Sequence, residues 1–329
     1  MHDPPRCTPL LLVTLLALLW CVQGEEIQVD QALCNAAQPV MILNQWPVIV
    51  NESLTNCTIQ LEVNHDVVFG SLVHIGRVEG NDSFSSLGMH LENIVILVRN
   101  TTLQPPRPRV DNDINATSTS TTYAFVTIVG NTSVSSFVLS VSGCTVNLSA
   151  SDVVVPSAQS NAWNGTLVSL ASRGAPLTNI KILISSTSLY LGQFDQLIAI
   201  WAPNATSSNS SSSYGVSDVQ VSIGPSVLLN SSSVAPLIQC GASQRNSAAG
   251  VVAPTTTTTT TMVKDLHLVV GGPNTTFLIA SSSPRLVQTS DVGLLHFDVI
   301  LTGTVVSINH GCCGGPTELP IYYSTTGSF

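Results

Sequence analysis

A strand with apolar residues at alternate positions recurs along the whole chain. Each copy is followed by a short polar turn and a second, shorter apolar strand. The copies lie at 57–63 with 67–69, 94–98 with 102–103, 137–141 with 144–148, 180–184 with 189–191, 219–223 with 227–229, 266–270 with 277–279, and 297–301 with 305–306. The first strands start at Cys57, Ile94, Phe137, Ile180, Val219 and Leu266, so successive offsets are 37, 43, 43, 39 and 47 residues. A third strand completes most units: 72–75, 124–128, 167–170, 197–200, 236–239 and 294–297. The last of these runs into the seventh copy and compresses the final unit. A period near forty residues marks a repeat architecture. Strict alternation marks a strand with one buried face.

The spacing predicts an all-β fold, a right-handed parallel β-helix of about seven three-strand rungs. Each strand pairs with its counterpart one rung away, at about 4.8 Å, which gives a rod of roughly 30 Å. Ile94, Ile96 and Val98 would face the interior together, as would Ile180, Ile182 and Ile184, or Val219, Val221 and Ile223. Thr58, Gln60, Lys181, Gln220, Ser222 and His267 would face outward. Asn93, Asn179, Asp218 and Asp265 stand at one place just before the first strand and read as a stacked turn ladder. A seven-bladed propeller needs four strands per blade where three are counted. Tandem immunoglobulin-like sandwiches need a Cys–Trp–Cys spacing that Trp46, Trp163 and Trp201 do not supply. Inserts at 104–122, 203–215 and 241–261 are rich in Ser, Thr, Asn or Pro and read as solvated corner loops with no apolar area to bury. The organisation expected is a signal peptide at 1–24, an N-terminal cap and first strand region at 25–56, the repeat domain at 57–310 and a C-terminal tail at 311–329. The segment 311–316 breaks the repeat, and the expectation is that the 315–329 tail folds over the last rung or that the native product is longer.

Export is the second strong signal. Arg6 is a thin basic region, 10–22 is apolar, and Val22 and Gly24 set up cleavage before Glu25. The apolar run is short of the ~20 residues that span a bilayer. The competing reading is an anchor that is never cut. Asn-x-Ser/Thr sequons occur at Asn51, Asn56, Asn81, Asn100, Asn115, Asn131, Asn147, Asn164, Asn204, Asn209, Asn230 and Asn274. With 21 Asn and 74 Ser plus Thr in 329 residues, random placement predicts about five. The excess points to a glycosylated surface. Among the cysteines that remain after the signal, Cys34 and Cys57 are the expected disulfide. Cys144 and Cys240 sit in apolar strands and read as plain buried residues. His310, Cys312 and Cys313 read as a turn with a local disulfide or free thiols rather than as a metal site.

Reaction chemistry is sparse. A formal charge of −9 with ten Lys plus Arg excludes an electrostatic nucleic-acid binder. Nothing matches a G-x-S-x-G, H-E-x-x-H or phosphate-loop motif. No cofactor or metal ligand set stands out. Parallel β-helices include polysaccharide lyases, which need a carboxylate cluster for Ca²⁺ and a Lys or Arg base. The tight acidic pair Asp111 and Asp113 lies in a Pro-rich loop, and Lys181 and Lys264 lie next to first strands. His65, His74, His90, His267 and His296 are scattered singly.

The signal peptide, the forty-residue rung, the stretch GluAsnIleValIleLeuValArgAsnThrThrLeu at 92–103 and the dense sequons resemble kinetoplastid surface glycoproteins of the dispersed gene family and related membrane-associated proteins. The resemblance covers about 40–310 and lies in the style of the repeat. It implies a pectin-lyase-like β-helical ectodomain at the cell surface, in adhesion or contact with host or prey. Those proteins are long and often anchored. Membrane association here would run through a longer precursor or an uncleaved N-terminus. The expected function is a secreted or cell-surface scaffold without enzymatic activity, meeting an extracellular protein or glycan. The alternative is a divergent polysaccharide lyase or hydrolase.

Overall fold

The computed structural model describes residues 26–64, 67–76, 88–105, 122–130, 132–149, 164–172, 175–202, 214–242, 261–281, 285–290, 292–308 and 322–324. Every strand pairing among them is parallel. The strands form three stacks. The first holds Val40–Leu43, Leu54–Glu62, Met89–Arg99, Thr132–Val134 with Phe137–Ser142, Leu177–Ser185 and Tyr214–Ile223, then the upstream parts of Thr261–Ile279 and Val292–Ile308. The second holds Val67–Phe69, Thr102–Gln104, Thr145–Asn147, Ser188–Leu191 and Leu228–Ser231, then the downstream parts of those same two long strands. The third is a 9-stranded sheet: Ile27–Gln28, Val48–Val50, Val73–Ile75, Thr122–Gly130, Asn164–Ser172, Gln196–Ala202, Ile238–Ala242, Val287–Ser290 and Tyr322–Ser324. The chain visits the stacks in turn and returns to the first one place further along. The architecture is all-β with long parallel sheets, compatible with a β-helix or solenoid.

The register follows the alternation. Cys57, Ile94, Phe137, Ile180, Val219, Leu266 and Phe297 are direct neighbours in one ladder. One column inward runs Ile59, Ile96, Leu139, Ile182, Val221 and Leu268, all 2% exposed or less. Val68, Leu103, Val146, Leu189, Leu229 and Phe277 form the matching column of the second stack, and Val73, Val126, Val168, Ile198, Ile238 and Val287 that of the third. These columns meet in one core cluster. Each fully buried Val, Leu, Ile or Phe is worth about 1.5–3 kcal/mol against exposure. The stack therefore accounts for a mean hydropathy of +0.36.

The bends follow from residue chemistry. The first stack turns at Asn56, Asn93, Asn179, Asp218, Asp265 and His296, each at φ between 53° and 59°. Asn, Asp and His are the non-glycine residues that tolerate this left-handed conformation best. Ser136 holds the equivalent place without it, and there the strand breaks into Thr132–Val134 and Phe137–Ser142. The sequence-level turn ladder at Asn93, Asn179, Asp218 and Asp265 is present, extended by Asn56 and His296. A second bend uses Asn100, Gly143, Ser186 and Asn274, again with positive φ.

At the N-terminal end the helix Gln31–Ala36 starts at Asp30, whose side chain accepts from Leu33 N–H at 2.7 Å. The disulfide Cys34–Cys57 joins this helix to the first stack. Closing a loop of 23 residues contributes about 3 kcal/mol in the chain-entropy account.

One assignment changes. The third strand of the late unit is Val287–Ser290 and not 294–297. Val287 and Thr289 continue the inward columns of Ile238 and Cys240, whereas Leu294 and Leu295 sit beside Val263 and Lys264, upstream of the bend. The cap and first strand region at 25–56 supplies strands to the first and third stacks, and Tyr322–Ser324 of the tail pairs with Val287–Thr289. Among the described residues Val292–Ile308 pairs on one side only, and its Leu301 and Val306 are 45% and 38% exposed where Val270 and Phe277 are 0% and 1%. The signal segment 1–24, most of each corner insert, and His65, Asp111, Asp113, Trp163, His310, Cys312 and Cys313 lie outside the described residues.

Candidate functional site

Outward positions of the first stack mix polar side chains with aliphatics: Thr58, Gln60, Lys181, Gln220, Ser222 and His267 share their columns with Val95, Leu97, Val138, Leu183 and Val269. Thr58, Gln60, Gln220, Ser222 and His267 are half-buried and Lys181 is exposed. Along the first bend the side chains stack: Asn93 Nδ2 donates to Asn56 Oδ1 at 2.9 Å. At the far end Asp265 Oδ1 is 2.8 Å from His296 Nδ1, and Asp265 Oδ2 is 3.5 Å from Lys264 Nζ. The His296 hydrogen bond, ahead of the Lys264 and His296 charges, holds the Asp265 carboxyl below its ordinary value. His267 Nδ1 meets Asp298 Oδ1 on the same face. Among the described residues no group of three or more His, Cys, Asp or Glu is placed to hold a metal ion. His90 Nδ1 bonds Ser133 Oγ at 2.9 Å. His74 is half-buried in the third stack, and burial lowers its pKa.

Six sequon asparagines have described side chains. Asn56, Asn100, Asn230 and Asn274 are exposed, and Asn51 and Asn147 are half-buried; none of the six points into the core. Asn100 Nδ2 donates to Glu62 Oε1 at 2.9 Å. Asn147 Oδ1 accepts from Ser149 N–H at 3.0 Å. Asn81, Asn115, Asn131, Asn204 and Asn209 lie outside the described residues. Asn164 is placed in its strand by backbone alone.

Among the described residues the two free cysteines, Cys144 and Cys240, are buried, each for its own reason. Cys144 follows the second bend in the place taken by Thr101 and Thr187 in neighbouring coils. Thr101 Oγ1 donates to Arg99 O and Thr187 Oγ1 to Ser185 O, both at 2.7 Å. Cys144 Sγ does the same to Ser142 O at 3.4 Å. Cys240 continues the aliphatic column of Ile128, Leu170 and Ile200, and burial pushes its thiol up to about 12. Both thiols are inert at neutral pH, since only the thiolate reacts.

Among the described residues the most perturbed carboxyl is Asp195, which sequence reasoning passed over. It lies at the short corner between Ser188–Leu191 and Gln196–Ala202 and is 2% exposed. Gly192 N–H donates to its Oδ2 at 2.6 Å, and Gly165 N–H, one coil back, donates to its Oδ1 at 2.7 Å. Ser233 Oγ, one coil ahead, donates to Asp195 O at 2.7 Å. One residue thus ties three coils together. Burial pushes its pKa up to about 6, against the pull of the two N–H donors toward the charged form. Tyr123 stands beside it. The hydroxyl donates to Leu148 O at 2.7 Å, and burial, then the Asp195 charge, raises its pKa. A Cβ on Gly165 would lie 2.5 Å from Tyr123 Oη and 3.0 Å from Asp195 Oδ1, so the corner closes only around glycine. The groups that set the Asp195 titration include no second carboxylate and no cation. The arrangement can hold and release one proton and lock three coils.

Comparison with known proteins found no matching family model, no matching curated protein and no matching solved structure.

Proposed function

We propose that the chain is a secreted or cell-surface glycoprotein, a non-enzymatic adhesin-like or coat scaffold, built as a right-handed parallel β-helix of about seven three-strand rungs. The observation that carries this reading is the division of inside from outside. Aliphatic columns fill the interior through successive coils, and each sequon asparagine with a described side chain lies on the exterior. The Cys34–Cys57 disulfide supports an oxidising compartment. The resemblance to kinetoplastid surface glycoproteins fits the same picture, with an extracellular protein or glycan as the partner.

Secretion from a eukaryotic host tests the reading directly. The expected product is exported, cleaved before Glu25, and shifted in mass by N-linked sugar. Incubation with a panel of polysaccharides is expected to leave them intact. Retention in the cytosol without sugar, or release of unsaturated sugars from the panel, would overturn it.

A further inference from the structure

The outward column of the second stack runs Asn147, Tyr190, Asn230, Leu278, each a direct register partner of the next. Neighbours in such a column stand about 4.8 Å apart. Tyr190 and Leu278 are 36% and 40% exposed. Each offers an apolar surface to a sugar attached one register step away. Both neighbours of Tyr190, and one neighbour of Leu278, are sequon asparagines: Asn147-Leu148-Ser149 and Asn230-Ser231-Ser232. Asn147 Oδ1 is held by Ser149 N–H at 3.0 Å, which fixes the amide plane, and Nδ2 is the atom that takes sugar.

We propose that Asn147 and Asn230 carry N-linked glycans whose first sugars lie over Tyr190 and Leu278, so that the second stack is a sugar-covered face and contact with partners falls to other faces. The bond forms between Nδ2 and the anomeric carbon of an oligosaccharide carried on a lipid pyrophosphate. The carbon–oxygen bond to the pyrophosphate breaks, Nδ2 gives up one proton, and the lipid pyrophosphate leaves. A pyranose ring presents a C–H face that packs on an aromatic or aliphatic side chain while its hydroxyls stay in water. The proposal rests on the exported-glycoprotein reading and goes further by naming the sites and what they cover.

The test uses the full chain secreted from a eukaryotic host. Peptide N-glycosidase in heavy-oxygen water marks each occupied asparagine as labelled aspartate, read by mass spectrometry. Nitration of Tyr190 by tetranitromethane is then compared in the native glycoprotein, in the enzymatically deglycosylated protein, and in a Ser149→Ala/Ser232→Ala variant that keeps both asparagines. The expected result is occupancy at Asn147 and Asn230 and nitration of Tyr190 that rises several-fold on either treatment. Sugar at Asn100 or Asn274 with none at Asn147 and Asn230, or nitration unchanged by deglycosylation, would sink this proposal and leave the exported-glycoprotein reading standing. Absence of sugar at every sequon would sink both.

Discussion

Asp195 makes the folded state respond to pH in a direction opposite to that of most carboxylates. Its folded pKa is about 6, against an ordinary value of 3.8. A raised pKa means that the folded chain binds the proton more tightly than the unfolded chain does. Stability is therefore full below the unfolded pKa, falls as pH rises from about 4 to about 6, and stays level above. Two pKa units at about 1.4 kcal/mol each give a total near 3 kcal/mol, of which about 2 kcal/mol falls between pH 4.5 and 7.5. The group is 2% exposed, so screening by water takes little from this figure. Urea titrations at the two pH values, on wild type and Asp195→Asn, isolate the effect, because the other titrating groups are common to both. Wild type should lose about 2 kcal/mol more than the variant between pH 4.5 and 7.5. Equal pH dependence in the two proteins would refute the reasoning, as would a wild type that gains stability relative to the variant.

Three further outcomes are expected. Ile182→Ala, in a column with an aliphatic neighbour on both sides, should cost about 2–5 kcal/mol in the same urea assay. Asn93→Gly should be nearly neutral and Asn93→Val should cost about 1–2 kcal/mol, because a β-branched residue resists φ of 53°; a tolerated valine would show the bend is not left-handed. Cys57→Ala should lower stability by about 3 kcal/mol, and a reductant should lower wild type by a similar amount while leaving the variant unchanged.

The strand ladder was legible because its alternation is strong. Ile94-x-Ile96-x-Val98 and Ile180-x-Ile182-x-Ile184 can bury only one face, and identical patterns can share one core only in register. The first bend was legible because Asn93, Asn179, Asp218 and Asp265 are residues that accept a left-handed turn. Val287–Ser290 was missed because it carries a single aliphatic residue, and 294–297 looked more like a strand end than it did. Asp195 was invisible for another reason. In sequence it is one acid after Gly192-Gln193-Phe194, the pattern of an ordinary surface turn. Its burial and two of its donors, Gly165 and Ser233, come from 30 and 38 positions away and arrive only when neighbouring coils stack. The burial of Cys144 is legible in the apolar pattern around it, but its kinship with Thr101 and Thr187 emerges only from the register.

The central claim is that successive windings stack parallel and in register. Spin labels on Thr58 paired with Lys181, Gln220, His267 or Asp298 test it by pulsed electron resonance, since these positions share one outward column. The stacking predicts separations that lengthen by about 5 Å per winding, near 14, 19, 24 and 29 Å in that order. Distances that fail to rise in that order, or that jump irregularly, would contradict it.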